Sequence, residues 1–372
     1  VALSRNNTAN FQITYNTNYL NFKKDTKKNI KVLNNRDLKS ALAQNSIGLK
    51  NVKESEDLIY ITTTSNNYDN HFEMVDVVLS YATQISTKSH AVITNETLGM
   101  EVVEAIYPLN KVGNYRNENY ETSEKKPKDK YRVVKLYPLF DNKISPVIRP
   151  FIAAREGFFY RGLFIEDDLQ IIFRDNFIFL GNFKKSISDN FDGLYLEPIN
   201  TYPNQVRSDI KKYLNNIDRG LIIGRAEVNY FLAHKKSHFV RLSAGILEEM
   251  FGGLGMEYLY YPQGSLVSLG FETFYVKKRD YNLRLGFQQY ENNLTRININ
   301  AREPNLDLMF KFSYGEYLAG DEGFTFEALR QFKNGVEFGI FVSITDVTAE
   351  QFGEGSFDKG IKLKIPFDFF KK

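Results

Sequence analysis

Charged residues recur at alternate positions along the second half of this sequence, and the residues between them are largely apolar. Alternate side chains of a β-strand share one face, so this spacing predicts strands with one charged face and one apolar face. Charged groups on a hydrated face can hydrogen-bond sugar hydroxyls, or they can simply pair with one another. We therefore predict that one set of charged side chains faces a hydrated lumen enclosed by the strands and contacts a polymer there. The alternative is that these side chains only pair with one another. They are Arg225, Glu227, Arg241, Glu257, Arg284, Arg296, Lys311, Lys362 and Lys364.

A second set of carboxylates lies in glycine-containing stretches that separate the apolar runs. We predict that they lie in loops at the rim of the lumen, and we call them the rim-loop residues: Glu248, Glu249, Asp321, Glu354 and Asp358. A glycosidase holds two carboxyl groups several ångströms apart across a sugar, and loops can do this. Adjacent acidic residues beside glycine are also typical of hydrated turns. We therefore predict no catalytic residue, and we keep an envelope enzyme that modifies polysaccharide as an alternative.

The remaining reactive residue types form no pattern that is typical of a metal or cofactor site. The sequence has no cysteine, which excludes thiolate ligands and thiolate nucleophiles. His234 and His238 flank a predicted turn, with no third ligand nearby in the sequence. The glycine cluster at 252–255 is not followed by a helix, as a phosphate-binding loop would be. We therefore expect no cofactor and no metal.

Length and charge narrow the class of protein. At 372 residues the chain is long enough for two domains, and its net charge of +3 gives no basis for nucleic-acid binding. No stretch approaches the roughly 18–20 apolar residues of a membrane-spanning helix. The first residues include neither an initiator methionine nor an apolar signal core, so we expect a mature or trimmed chain.

The first third of the chain alternates between helix-like and strand-like stretches. Residues 35–48 predict a helix with Asp37 as its cap and a glycine at its end. Residues 69–86 predict an amphipathic helix, because apolar residues recur every three or four positions. We predict an α/β module over residues 1–113, followed by a linker and an entry strand over 114–144.

From residue 145 onward the sequence predicts strand after strand and no convincing helix. The clearest predicted strands are 221–233, 239–247, 254–261, 266–276, 281–289, 294–301, 306–314, 323–332, 336–345 and 361–369. Strands of about nine to eleven residues with one apolar face suit a tilted crossing of a bilayer, and short polar connections suit an up-and-down meander. We predict that residues 145–372 form an antiparallel outer-membrane β-barrel, because closure removes the sheet edges. A soluble β-sandwich is the alternative.

The last predicted strand shows the pattern most clearly. Ile361, Leu363 and Ile365 fall on one side, which we expect to face lipid, while Lys362 and Lys364 fall on the other. A bacterial barrel usually ends on its last strand, so we also expect a closing segment outside residues 1–372.

Several long stretches resemble the YjbH/GfcD-type exopolysaccharide and capsule biosynthesis proteins. They are residues 202–214, 240–262, 276–291, 315–347 and 352–368, and the similarity is looser over residues 40–110. Members of this family are bacterial outer-membrane proteins with β-barrel regions and small α/β modules.

The resemblance implies a non-enzymatic component of exopolysaccharide or capsule export, with its barrel in the outer membrane and its N-terminal module in the periplasm. The implied partners are the polymer, outer-membrane lipid, and periplasmic and lipoprotein components of the same export system. The family has no established catalytic residues to transfer. A plugged structural barrel whose α/β module binds periplasmic partners is a further alternative.

Overall fold

The protein is described by a computed structural model. It describes residues 2–4, 8–10, 31–64, 71–109, 127–152, 154–197, 204, 206, 209–216, 220–332, 336–352 and 357–364. The chain forms two compact units, one comprising Val1–Asn16, Pro138–Leu232 and His238–Lys372, the other Thr17–Tyr137 and Ala233–Ser237. No helix among the described residues is long and apolar enough to cross a membrane.

In its described residues the smaller unit is a five-stranded sheet with two helices. Its elements are α1 (Asn35–Gln44), β3 (Gly48–Glu54), β4 (Leu58–Thr64), α2 (His71–Ile85), β5 (His90–Thr97), β6 (Met100–Pro108) and β7 (Asp129–Arg132). The strand order is β6-β5-β4-β3-β7, and only β4 and β5, which α2 connects, run parallel. Residues of both helices pack with Val52, Ile61 and Ile93 in one core. Asn34 rather than Asp37 caps α1, since its side chain accepts from the backbone N–H groups of Arg36 and Asp37.

The described residues of the larger unit form one antiparallel sheet of fourteen strands. They are β1 (Ala2–Ser4), β2 (Thr8–Asn10), β8 (Leu139–Ile152), β9 (Phe159–Arg174), β10 (Phe177–Asp189), β11 (Ile222–His234), β12 (His238–Ile246), β13 (Phe251–Tyr260), β14 (Val267–Arg279), β15 (Phe287–Glu303), β16 (Leu308–Glu316), β17 (Glu322–Gln331), β18 (Glu337–Thr345) and β19 (Asp358–Lys364). The order is β2-β1-β19, then consecutively down to β8. Within the described residues no ladder joins the edge strands β2 and β8. The structure therefore confirms the prediction of a mostly β chain with a large antiparallel sheet.

Two parts of the strand prediction are wrong. Residues 281–286, predicted as the first part of a strand over 281–289, lie in the connection between β14 and β15, because Leu283 has a φ of 54° and buries its side chain in a core. Arg284 therefore lies in a connection and not on a strand. The region also contains the short helices α3 (Ile210–Leu214) and α4 (Ala349–Phe352), which are too brief to produce a helical periodicity in the sequence.

The connections differ in length between the two ends of the large sheet. At one end the strands are joined by short turns, such as those at 175–176, 235–237 and 304–307. At the other end the connections include 190–221 and 346–357. We call these the short-turn end and the long-connection end; β8 begins at the short-turn end.

On this sheet the apolar side chains are exposed and the polar side chains are buried, which is the reverse of the usual pattern. Ile297 and Phe312 are 54% and 42% exposed, whereas Asn298 and Ser313, which point to the opposite face, are 8% and 5% exposed. Polar groups on the buried face bond to one another, as in the 2.6 Å hydrogen bond from Ser313 Oγ to Asn298 Oδ1. We refer to these as the apolar face and the polar face.

A second apolar cluster lies on the polar face, towards the long-connection end. It combines Phe164, Val276 and Leu294 of the sheet with Phe191 and Tyr213 of the β10–β11 connection, and all five are buried. We call the described residues of that connection between Asn190 and Asn216 the covering segment. It begins with a 3₁₀ turn at Phe191–Gly193 and includes α3.

Candidate functional site

A pocket of about 410 Å³ lies on the polar face. Strands β8 to β11 form one side of it, and the covering segment and the connection at 247–250 form the other. Its lining residues are Arg149, Glu166, Asp168, Asn182, Lys184, Ile210, Gly224, Arg225, Leu247, Glu248, Glu249 and Met250.

Strand register brings the polar lining residues together from distant parts of the sequence. Lys143 pairs with Asp168, Asp168 with Asn182, and Asn182 with Arg225, which makes one row across four strands. The ladder between β10 and β11 is irregular beside Asn182, where Gly224 is the extra residue on β11. A Cβ at Gly224 would lie 2.3 Å from Asn182 Oδ1, so this close approach requires glycine.

Glu249 is the centre of a hydrogen-bonded charge network in the pocket. Its carboxylate accepts hydrogen bonds from Arg149 Nη1 at 2.8 and 3.1 Å and from Lys184 Nζ at 3.0 Å. Lys184 also lies 3.6 Å from Glu166. Asn182 Nδ2 donates to Asp168 Oδ1 at 2.6 Å and to Glu166.

The protonation state of Glu249 follows from these contacts. Burial by itself raises the pKa of this carboxyl, but the charges and hydrogen bonds of Arg149 and Lys184 outweigh burial and lower the pKa from 4.5 to about 2. Glu249 is therefore ionised at ordinary pH. It can accept hydrogen bonds there, but it has no proton to donate as a general acid.

Arg279 holds the 247–250 connection in place from the end of β14. Its side chain is completely buried, and its guanidinium donates to four backbone carbonyls. These are the carbonyls of Ile223 at 2.7 Å, Glu248 at 3.2 Å, Glu249 at 2.8 Å and Arg284 at 2.7 Å. The planar fork of donors thus ties one side of the pocket to β11 and to the next connection.

Most of the other predicted lumen-facing residues form ion pairs on the polar face. Arg241, Glu257, Glu272 and Arg296 form a single row across β12 to β15. Arg241 pairs with Glu257, and Arg296 Nη2 lies 2.5 Å from Glu272 Oε1. Glu272 was not among the predicted residues, although it sits two positions from Gly270 and Phe274 on the same face.

The same arrangement continues across β11 and across β16 to β19. Arg225 pairs with Glu227 on its own strand. Lys362 of β19 reaches across β18 to Glu327 of β17, at 2.5 Å, and Lys364 lies 3.0 Å from Glu337 of the neighbouring strand β18. Lys311 stands opposite Glu327 in register.

The predicted rim-loop residues have different positions. Glu248 and Glu249 lie together at the pocket, whereas Asp321 lies in the β16–β17 connection, where burial raises its pKa. Asp358 is the first residue of β19 and pairs with Ser343, so its assignment to a loop is wrong. Glu354 lies outside the described residues.

Sequence reasoning missed most of the pocket. Arg149, Glu166, Asp168, Asn182 and Lys184 lie on three strands that precede the clearest alternating runs. The available signal was the i, i+2 spacing of Glu166 with Asp168 and of Asn182 with Lys184, which places each pair on one face. Among the described residues no group of three or more His, Asp or Glu side chains is arranged to hold a metal ion.

Comparison with known proteins gives two findings. The YjbH family model, described as "Exopolysaccharide biosynthesis protein YbjH", matches residues 1–372. A relative from Escherichia coli (strain K12), "Uncharacterized lipoprotein YjbH", is 30% identical over 237 residues. That match covers 62% of this chain and 34% of the relative, so the chain corresponds to about a third of the relative's length.

Proposed function

The chain belongs to the YjbH exopolysaccharide biosynthesis family, and on that premise we propose that it is a non-enzymatic outer-membrane component of exopolysaccharide or capsule export. In this proposal the large sheet closes into a barrel in the outer membrane, and polymer docks on its polar face. The α/β unit lies in the periplasm and binds periplasmic or lipoprotein partners of the export system. The name of the relative, a lipoprotein, supports a place in the cell envelope.

The observation that carries this proposal is the pattern of burial on the large sheet, where apolar side chains are exposed and polar side chains are buried. Many large apolar side chains on the apolar face of β15 to β19 are more than a third exposed, and they include Ile297, Ile299, Phe312, Tyr314, Phe324, Phe326, Phe338, Ile340, Ile344, Ile361 and Leu363. Moving each from water to hydrocarbon is worth about 1 kcal/mol at this exposure, or on the order of 10 kcal/mol together. That equals the whole stability of a typical domain, so water is an unfavourable solvent for this face.

Closure of the sheet is supported by its two edges. Cα atoms of β2 and β8, the edge strands, come within 8 Å of one another. Unpaired edges are not tolerated in hydrocarbon, because their backbone groups would lack hydrogen-bond partners. The soluble β-sandwich is disfavoured, since its apolar faces would be buried and its polar faces exposed.

The enzyme alternative is weakened by the state of Glu249. A retaining or inverting glycosidase needs one carboxyl group that is protonated at working pH. The pKa of Glu249 is lowered to about 2, so this carboxyl is in the wrong state for that role.

A second candidate function, the plugged barrel, is favoured by the covering segment. Phe191 and Tyr213 of this segment are buried against the polar face. A segment packed on this face hinders free passage of a polymer and favours docking. In this version the α/β unit is the part that works on periplasmic partners.

Membrane fractionation of the full-length protein tests the proposal, followed by gel mobility with and without boiling. We expect recovery in the outer membrane and faster mobility in the unboiled sample, as a closed barrel resists detergent. A soluble protein with unchanged mobility would refute the barrel. Single-channel conductance then separates the two versions, because a plugged barrel carries no steady current.

A further inference from the structure

We propose that the pocket of about 410 Å³ binds the end of an uncharged saccharide chain. This inference rests on the proposed function and adds a class of ligand and a mode of binding to it. Four observations carry it: the mixed polar and apolar lining, the charge balance, the fixed geometry of the polar groups, and the covering segment that closes one side.

The lining of the pocket combines polar groups with apolar side chains. Asp168, Asn182 and Arg225 present carboxylate, amide and guanidinium groups from neighbouring strands. Ile210, Leu247 and Met250 add apolar side chains on the opposite side, which also carries Glu248 and Glu249. A sugar ring has the matching character, with hydroxyls at its edge and C–H groups on its faces. The volume is also that of an ordinary small-molecule site.

The balance of charge selects an uncharged sugar over an acidic one. Three cationic and four anionic side chains line the pocket: Arg149, Lys184 and Arg225, and Glu166, Asp168, Glu248 and Glu249. The carboxylates are one in excess, and Arg225 is further neutralised by Glu227. A uronate or phosphate group would therefore meet a net negative lining, whereas hydroxyls can both donate to carboxylates and accept from the cations.

The polar groups are already held in place without ligand. Glu249 is fixed by Arg149 and Lys184, and Asn182 is fixed by Asp168 and Glu166. Groups that are fixed before binding lose little conformational entropy when a ligand arrives. Such preorganisation suits a binding site.

The covering segment bounds the pocket towards the long-connection end. Ile210 of this segment lines the pocket, and the preceding residue, Asp209, forms a buried ion pair of 2.5 Å with Lys278. Tyr213 Oη donates to the carbonyl of Arg279 at 2.7 Å. Lys211 Nζ, on the same helix, lies 2.6 Å from Glu156 Oε1. A chain that enters the pocket meets this packed wall, so the site accepts a chain end and does not thread a polymer.

The test uses full-length protein in detergent micelles and oligosaccharides from partial acid hydrolysis of the producing cell's own exopolysaccharide. Anion exchange separates the hydrolysate into an uncharged and an acidic fraction, and calorimetry measures the binding of each. We expect the uncharged fraction to bind more tightly. We also expect the hydrolysate to bind more than the same mass of intact polymer, because hydrolysis multiplies chain ends.

Variants assign the binding to the pocket. Asp168→Ala and Asn182→Ala should each weaken binding at least tenfold, while the control Lys39→Ala, at an exposed position of α1 in the α/β unit, should leave it unchanged. Unchanged binding in both pocket variants, tighter binding of the acidic fraction, or equal binding of intact polymer would each overturn the inference. Heat-modifiable gel mobility confirms that each variant folds.

The outcome separates this inference from the proposed function. A protein that fractionates to the outer membrane with heat-modifiable mobility, yet does not bind the hydrolysate, refutes the saccharide site alone. A protein that fails fractionation refutes the barrel, whatever it binds.

Discussion

The ion pair between Asp209 and Lys278 gives the sharpest test of how the covering segment is held. Both side chains are almost fully buried, with exposed fractions of 1% and 5%, and their charged atoms are 2.5 Å apart. Lys278→Met removes the cation and leaves the Asp209 carboxylate buried, with Tyr281 Oη at 3.1 Å as its remaining donor among the described residues. Breaking a buried pair on one side costs about 3–5 kcal/mol, because the surviving charge loses its compensation.

Urea titration of the protein folded in lipid vesicles, followed by gel mobility, measures the free energy of unfolding. We expect Lys278→Met to lower it by about 3 kcal/mol. The double variant Asp209→Asn with Lys278→Met should recover most of this loss, since no unpaired charge remains. The matched control is Lys212→Met, which removes the exposed pair with Glu197 in the same connection and should change stability by less than about 1 kcal/mol.

Two results would refute the reasoning. A loss in Lys278→Met no larger than that in Lys212→Met would mean that the buried pair does not hold the segment. A double variant as unstable as the single one would mean that the loss comes from packing of the lysine stem and not from the stranded carboxylate.

Three further predictions follow from the pocket. The pKa of Glu249 is lowered from 4.5 to about 2 in the folded protein, so its ionised form stabilises the fold fully above pH 4.5, and this stabilisation disappears as pH falls towards 2. The free energy of unfolding should therefore be lower at pH 2.5 than at pH 7 by up to about 3 kcal/mol. Glu249→Gln should abolish this difference. Gly224→Ala should displace the Asn182 amide and weaken oligosaccharide binding with little change in the urea midpoint, and unaltered binding would contradict the close approach. Arg279→Lys should lower the free energy of unfolding by about 2–4 kcal/mol, because an ammonium cannot reach four divergent carbonyls; a loss below about 1 kcal/mol would speak against this role.

The face assignments were predictable because they depend only on alternation. Lys362 and Lys364 lie opposite Ile361 and Leu363, as the sequence indicates. A period of two survives in the sequence wherever the two faces meet different surroundings, so residue types alone reveal it. The family could also be recognised from the sequence, since long stretches of the chain resemble its members.

The pocket could not be predicted, because strand register creates it. Asp168, Asn182 and Arg225 are separated by many residues in sequence, and alternation fixes only their faces, not their partners. Leu283 shows the opposite failure, since alternation continues through a connection where its positive φ and burial are set by tertiary packing. Short helices such as α3 leave too few residues for a period to be seen.

The row of Arg241, Glu257, Glu272 and Arg296 has a consequence for the fidelity of folding. A strand that slips by two residues keeps its apolar side chains on the same face, so alternation alone cannot reject that error. In the row, such a slip would place Arg241 opposite Gly255 or Leu259, and Arg296 opposite Gly270 or Phe274, leaving charges unmatched. The ion pairs therefore disfavour alignments of β12 to β15 that are shifted by two residues, which the hydrophobic pattern alone would allow.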